Sequence, residues 1–154
     1  MNVALSIAGS DCSGGAGIQA DLKAFAAHEV YGLTAVTGVV AETPNRVVVS
    51  EPVSGDLLRK QLECLAEDFE IDAVKTGMLG TCENVGVVCD FLDELEGVPL
   101  VVDPVMVATS GTRLLEEEAV ELYKDRLLLR ATLATPNLPE VSELLGFPPP
   151  KRKH

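Results

Sequence analysis

The residues best suited to chemistry are concentrated in a loop near the start of the chain. An apolar run stops at Gly9, and small and hydroxylated residues follow until a helical pattern begins near Gly15. Gly14, Gly15 and Gly17 allow the backbone to approach a ligand and to adopt positive φ angles. Asp21 lies about one turn into the helix, where its carboxylate can point back toward the loop. The pattern predicts a strand, a ligand-binding loop and a helix whose free N–H groups face that loop.

Two kinds of nucleotide-binding loop match this glycine pattern in part. A Walker A loop is excluded because no Gly-Lys-Ser or Gly-Lys-Thr follows the glycines. A dinucleotide-binding loop is an alternative, because residues 15–20 match G-x-G-x-x-A and Glu42 lies roughly where the ribose-binding acid is expected, about 20 residues on. However, residues 9–14 are inserted where that fingerprint requires an immediate turn. The insertion disfavours the dinucleotide site.

Three further polar residues lie where a predicted strand ends or a predicted helix begins. Asp103 ends an apolar strand and precedes Pro104, so its carboxylate is expected to project into a crevice. Asn137 and Glu140 are three residues apart at the start of a helical pattern, so both side chains can face one hydrated Mg²⁺. Mg²⁺ prefers oxygen ligands and keeps most of its waters, so contacts through water suffice.

A methionine after another predicted strand is a candidate wall for a flat ring. Gly77 lets the backbone approach a ligand, and Met78 supplies a soft, adaptable surface. The alternative for Met78 is an ordinary core position.

These candidates need a scaffold of alternating strands and helices, which the periodicity predicts. Strands are predicted at 3–8, 31–40, 46–50, 71–76, 99–103 and 131–135, and helices at 15–27, 55–69, 83–95, 115–128 and 138–145. Ser54 is the expected N-cap of the helix at 55–69, and Leu57 is expected on its buried face. The alternation predicts a doubly wound α/β fold with a mainly parallel sheet. Ligands bind such sheets at the carboxyl ends of the strands, which is where Gly9, Glu42, Met78, Asp103 and Asn137 fall.

Composition narrows the class of protein. The 154 residues are 47% hydrophobic, which fits one folded domain. A net charge of −12 argues against nucleic-acid binding, which needs a basic surface. No apolar run approaches the roughly 20 residues that span a bilayer, and no basic segment precedes the first apolar stretch. We therefore expect a cytoplasmic enzyme without a membrane partner.

The cysteines and histidines disfavour a zinc site. The four cysteines form no C-x-x-C pair, and the chain has two histidines. We expect four free thiols packed as small hydrophobic side chains.

Four ordered segments resemble the hydroxymethylpyrimidine/phosphomethylpyrimidine kinases of thiamine biosynthesis, members of the ribokinase-like superfamily close to the pyridoxal kinases. They are AGSDCSGGAGIQADLKAF with VYGLTAVTGVVAE at 8–42, VKTGMLG at 74–80, VVDPVMVATSGTRLL at 101–115 and ATPNLPEVSELLG at 134–146. The resemblance implies ATP-dependent phosphorylation of 4-amino-5-hydroxymethyl-2-methylpyrimidine and then of its monophosphate, with Mg²⁺.

The resemblance also implies roles for individual residues. Asp21 would hydrogen-bond the pyrimidine, Gly9 would lie against it, and Val40 and Val105 would be apolar contacts to the ring. Asn137 and Glu140 match the N-x-x-E motif of the superfamily and join Asp103 on the magnesium and phosphate side.

The sequence departs from the family pattern in two places. Glu42 stands where the bacterial kinases usually carry a glutamine, and an ionised glutamate only accepts hydrogen bonds. No G-[TS]-G-[CD] segment, whose N–H groups form the anion hole of ribokinase-like enzymes, follows Asn137.

The second departure sets the expectations for the chain as a whole. We expect an incomplete, C-terminally truncated ribokinase-like domain at 1–146, an unstructured tail at 147–154, no catalytic residue of the anion hole and little kinase activity. A homodimer or a complementing C-terminal half is a possible partner. The alternatives are a pyridoxal kinase-like enzyme and a non-catalytic pyrimidine-binding subunit or remnant.

Overall fold

The computed structural model describes residues 1–43, 45–108 and 110–148, in which strands and helices alternate along the chain. The strands are β1 (Val3–Asp11), β2 (Tyr31–Thr43), β3 (Arg46–Pro52), β4 (Ala73–Thr76), β5 (Leu100–Val102) and β6 (Leu133–Ala134). The helices are α1 (Gly17–Ala27), α2 (Gly55–Asp68), α3 (Cys82–Glu94), α4 (Ala119–Leu122) and α5 (Leu138–Leu145), and a π-helical segment, Tyr123–Leu128, follows α4 directly.

The strands form one sheet in the order β3-β2-β1-β4-β5-β6. Every neighbouring pair is parallel except β2 with β3, which is antiparallel. The chain moves outward from β1 to β3 and then returns to the other side of β1 at β4. The carboxyl ends of β1 and β4 therefore flank a topological switch point, where ligands bind open α/β sheets.

Successive side chains of β1 point to opposite faces of the sheet. Leu5 and Ile7 belong to the core that α2 and α3 cover with Leu58, Leu62 and Val88. Ser6, on the opposite face, hydrogen-bonds Asp21 of α1. Helices on both faces of a mainly parallel sheet confirm the predicted doubly wound α/β fold.

Some predicted elements have different bounds in the structure. The expected helix at 115–128 begins at Ala119 and becomes π-helical at Tyr123. The expected strand at 71–76 begins at Ala73, and β1 extends to Asp11. Ser54 caps α2 as predicted, accepting a hydrogen bond from the Leu57 amide, but the Leu57 side chain is 51% exposed.

The prediction that the cysteines pack as small hydrophobic residues was wrong for two of them. All four are free thiols, but Cys12 and Cys64 are exposed, while Cys89 is buried. Cys12 lies in the polar loop after β1, and Cys64 lies on the outer side of α2, so neither meets the core.

The end of the chain is described only as far as Pro148. Phe147 is exposed, and its amide donates to the Ser142 carbonyl; residues 149–154 of the predicted tail lie outside the described residues. Within the described residues, no helix combines the length and the apolar character needed to cross a bilayer.

Candidate active site

A cleft of about 420 Å³ opens at the carboxyl ends of β1, β2, β4 and β5. It brings together all the residues that sequence analysis selected, from segments up to 131 positions apart: Gly9, Asp21, Val40, Glu42, Met78, Asp103, Val105, Asn137 and Glu140. Its position is the one predicted from the strand ends. What each residue binds stays a prediction.

The loop after β1 is held by the buried carboxylate of Asp11. This carboxylate accepts hydrogen bonds from the amides of Ser13, Gly15 and Ala16 at 2.7, 3.0 and 2.8 Å, and from the Ser13 hydroxyl at 2.9 Å. Burial raises the pKa of Asp11, but these hydrogen bonds outweigh it and hold the pKa below its ordinary value. The amides of Gly15 and Ala16 thus serve Asp11 and not a pyrophosphate, which argues against the dinucleotide alternative.

Gly17 allows α1 to start close to the strand. Its φ is +59°, and a Cβ there would lie 2.3 Å from the Gly9 carbonyl oxygen. Both the backbone conformation and the contact therefore require glycine. This close approach brings Asp21 over the end of β1.

Asp21 is fixed from two sides. Its Oδ2 accepts from the buried Ser6 hydroxyl at 2.6 Å, and Lys75 Nζ donates to Oδ1 and Oδ2 at 3.1 and 3.0 Å. Ser6 and Lys75 are register partners on β1 and β4. Sequence analysis did not identify Lys75 as a site residue, because its partner lies 54 positions away in the chain.

One wall of the cleft is apolar. Met78 and Val40 are 8% and 5% exposed, and Val105 also lines the cleft. A Cβ at Gly9 would lie 2.5 Å from the Met78 methyl group, so the glycine leaves room for that methyl group beside β1. The Thr37 hydroxyl donates to the Met78 carbonyl and fixes its backbone. The wall fits a flat ring.

Glu42 lies beside Asp11 at the end of β2. The strand is irregular there, with a register shift against β3 between Ala41 and Glu42. Burial raises the pKa of the Glu42 carboxyl, and the neighbouring carboxylate of Asp11 raises it further. When ionised, this group offers only acceptors to a ligand.

Asn137 and Glu140 form a capping box at the start of α5. Asn137 Oδ1 accepts from the Glu140 amide, and Glu140 Oε2 accepts from the Asn137 amide, both at 2.9 Å. Glu140 Oε1 also accepts from the Met106 amide at 3.3 Å. Burial raises the pKa of Glu140, against the lowering effect of these amides. The motif therefore has a structural role that sequence analysis did not identify.

Asp103 faces the same part of the cleft. Burial raises the pKa of its carboxyl; the charge of Lys75 lowers it and that of Asp21 raises it. Its amide donates to the Thr76 carbonyl at 3.0 Å, which fixes the turn after β5 beside β4.

The oxygens of Asp103, Asn137 and Glu140 fit a hydrated Mg²⁺ better than a directly ligated one. The side-chain oxygens of Glu140 and Asn137 already accept amide hydrogens. In the part of the chain that the structure describes, no group of three or more His, Cys, Asp or Glu side chains is arranged to hold a metal. The remaining lone pairs suit water molecules of a magnesium shell.

Comparison with known proteins assigns the family. The family model for phosphomethylpyrimidine kinase matches residues 11–154. The chain belongs to this family. It is 44% identical over 144 residues to the hydroxymethylpyrimidine/phosphomethylpyrimidine kinase of Bacillus subtilis, a match that covers 94% of this chain and 53% of that protein. The chain thus spans about half the length of this relative.

Two solved structures have the same fold as this chain. The phosphomethylpyrimidine kinase of Clostridium difficile superposes with a TM-score of 0.87 at 40% identity, covering 94% of this chain and 64% of that one. A pyridoxal kinase of Bacillus subtilis, solved as an ADP complex, gives a TM-score of 0.86 at 40% identity, covering 99% and 56%. The expected ribokinase-like fold is confirmed.

Proposed function

We propose that residues 1–146 form the substrate-binding and magnesium-facing part of a hydroxymethylpyrimidine/phosphomethylpyrimidine kinase. The reaction is ATP-dependent phosphorylation of 4-amino-5-hydroxymethyl-2-methylpyrimidine and then of its monophosphate, for thiamine synthesis in the cytoplasm. The observation that carries the proposal is the single cleft at the switch point, lined by every predicted site residue.

The lining supports an aminopyrimidine as the ligand. Val40, Met78 and Val105 offer apolar surface to a flat ring. Asp21 and Glu42 offer carboxylate oxygens, and an exocyclic amino group has N–H groups to donate to them. A pyridoxal ring has no exocyclic amino group and would have to donate to Glu42 from a hydroxyl group, so the amino group is the donor that distinguishes the two ligands.

The other half of the cleft supports phosphoryl transfer. Asp103, Asn137 and Glu140 would hold Mg²⁺ through water, and the bound ion would neutralise charge on the nucleotide phosphates. Phosphoryl transfer depends mostly on positioning and charge stabilisation. In this proposal Asp21 positions the aminopyrimidine ring, and Asp103 lies on the phosphate side of the cleft.

Calorimetry with the aminopyrimidine and with pyridoxal tests this function. We expect the pyrimidine to bind at least tenfold more tightly than pyridoxal. Asp21→Ala should weaken pyrimidine binding about tenfold or more, since hydrogen bonds to a charged group are strong. Asp68→Ala, an exposed carboxylate at the end of α2, is the matched control. No heat at millimolar pyrimidine, or tighter binding of pyridoxal, would contradict the proposal.

We further propose that the chain associates through the outer edge of β6. This strand pairs with β5 on one side; Leu133 within it is 55% exposed, and Leu129, which precedes it in the chain, is 81% exposed. Unpaired edges with apolar side chains favour association. The partner is a second copy of the chain or a polypeptide that supplies the remaining part of the kinase fold. Light scattering of the purified chain distinguishes such an assembly from a monomer. The variant Leu133→Lys should disrupt the assembly.

A further inference from the structure

The cleft is strongly acidic, with a single cation in its described lining. Lys75 is that cation. The lining carboxylates are those of Asp11, Asp21, Glu42, Asp103 and Glu140. A neutral alcohol can enter such a cleft without electrostatic cost, but a phosphate ester carries about −1.5 to −2 charges near pH 7. The second phosphorylation therefore needs a group that receives an anion.

Lys75 has donor capacity left for a ligand. An ammonium group has three N–H donors, and two of the Lys75 bonds go to Asp21 at 3.1 and 3.0 Å. Among the described residues, no third acceptor lies within hydrogen-bonding distance of Nζ. The side chain is 22% exposed, so the ammonium is only partly hydrated.

The neighbouring glycine keeps the ammonium accessible. A Cβ at Gly77 would lie 3.1 Å from Lys75 Nζ and 3.0 Å from the Ala8 Cβ. Because residue 77 is a glycine and has no side chain, the space above β4 stays open to the cleft. Because β4 lies between β1 and β5, Lys75 stands between Asp21 on the ring side and Asp103 on the phosphate side.

We propose that Lys75 is the phosphomonoester subsite of this cleft: its third N–H binds a phosphate oxygen of the pyrimidine monophosphate while the other two keep Asp21 in place. The inference rests on the proposed function and extends it, because it assigns the discrimination between the two substrates to one residue. Lys75 then matters more for the monophosphate than for the alcohol.

Binding calorimetry with both ligands, without nucleotide and with magnesium chelated, tests the subsite. Lys75→Gln keeps a donor for Asp21 but removes the charge, so we expect monophosphate affinity to fall at least tenfold more than alcohol affinity. Lys75→Arg should restore most of the monophosphate affinity. Lys124→Gln, which replaces a partly exposed lysine paired with Glu121 outside the cleft, is the matched control.

The outcomes separate the subsite from the proposed function. A wild-type chain that binds neither ligand overturns both. Equal losses for the two ligands in Lys75→Gln, or no loss for either, overturn the subsite and leave the aminopyrimidine site standing. If the variant does not fold, the Cε resonance of Lys75 in the wild-type chain decides: it should shift with the monophosphate and much less with the alcohol, and equal shifts would overturn the subsite.

Discussion

Individual carboxylates in the cleft have two different tasks. Asp11 and Glu140 are buried and accept main-chain amides, so they hold the loop after β1 and the start of α5. Asp21 and Asp103 keep oxygen lone pairs toward the cleft. The two groups respond differently to substitution, because the first supports the fold and the second, in our proposal, the ligand.

Replacing Asp11 tests its structural task. Asp11→Asn should lower the free energy of unfolding by about 2 kcal/mol at pH 7, since buried amides lose a charged acceptor. The folded-state pKa lies below the ordinary value of 3.8, so the stabilisation is full above that pH and declines as the pH falls through the folded pKa. Urea unfolding at pH 7 and pH 3 should show the difference between variant and wild type shrinking in acid. An unchanged difference at pH 3, or an equal loss in the exposed control Asp68→Asn, would contradict this account.

Replacing Glu42 tests the electrostatic conflict with Asp11. Glu42→Gln should raise the free energy of unfolding at pH 7 by on the order of 0.5 kcal/mol, the size of an interaction between partly exposed charges. The pKa of Glu42 is raised from 4.5, so its ionised form costs stability above the folded pKa and the cost vanishes below 4.5. Thermal unfolding should show the gain at pH 7 and none at pH 4. A less stable variant at pH 7 would show that the ionised Glu42 carboxylate stabilises the fold, and would contradict this account.

At the scale of elements, α5 and the π-helical segment are stabilised in different ways. The start of α5 relies on its capping box, with Pro139 in the first turn. Arg126 of the π-helical segment, and Arg130 two residues after the segment ends, form ion pairs with Asp93 of α3. The cap determines where Glu140 lies, and through it one side of the cleft.

Replacing the capping residue tests this dependence. Asn137→Ala should cost about 1 kcal/mol of stability, the usual cost of losing an N-cap. Asn137→Ser keeps a cap oxygen and should recover more than half of that loss. Thermal unfolding of the two variants measures these losses of stability. Equal losses in both variants would show that the side-chain oxygen of Asn137 does not stabilise the start of α5.

Elements with local signals were predictable from the sequence, and those with distant partners were not. The bounds of α5 and the Ser54 cap were predicted correctly, because capping depends on residues within one turn. The π-helical segment was not, since the ion pair of Arg126 with Asp93 joins residues 33 positions apart. Asp11 and Lys75 were missed for a related reason. The acceptor role of Asp11 depends on the loop conformation, and the partner of Lys75 lies on α1.

For the whole molecule, the chain forms one cleft that all the predicted site residues line, and it spans about half the length of the Bacillus subtilis relative. The 154 residues contain no glycine-rich anion-hole segment after Asn137. Removing one oxyanion donor already slows well-studied enzymes about 10²–10³-fold. We therefore expect ATP-dependent turnover by these 154 residues alone to be at least about 10³-fold below that of the Bacillus subtilis relative in the same coupled assay. Turnover near that of the relative, abolished by Asp21→Ala, would contradict this expectation.

The central claim is that residues from five strands and helices form one aminopyrimidine site. Titration of the ¹⁵N-labelled chain with 4-amino-5-hydroxymethyl-2-methylpyrimidine tests it most directly. Amide resonances of Gly9, Gly77, Met78 and Val105 should shift together along a single saturation curve, while those of the outer side of α2, such as Glu63 and Asp68, stay in place. The account would be contradicted if no amide resonance shifted at saturating ligand, or if only residues outside the cleft shifted.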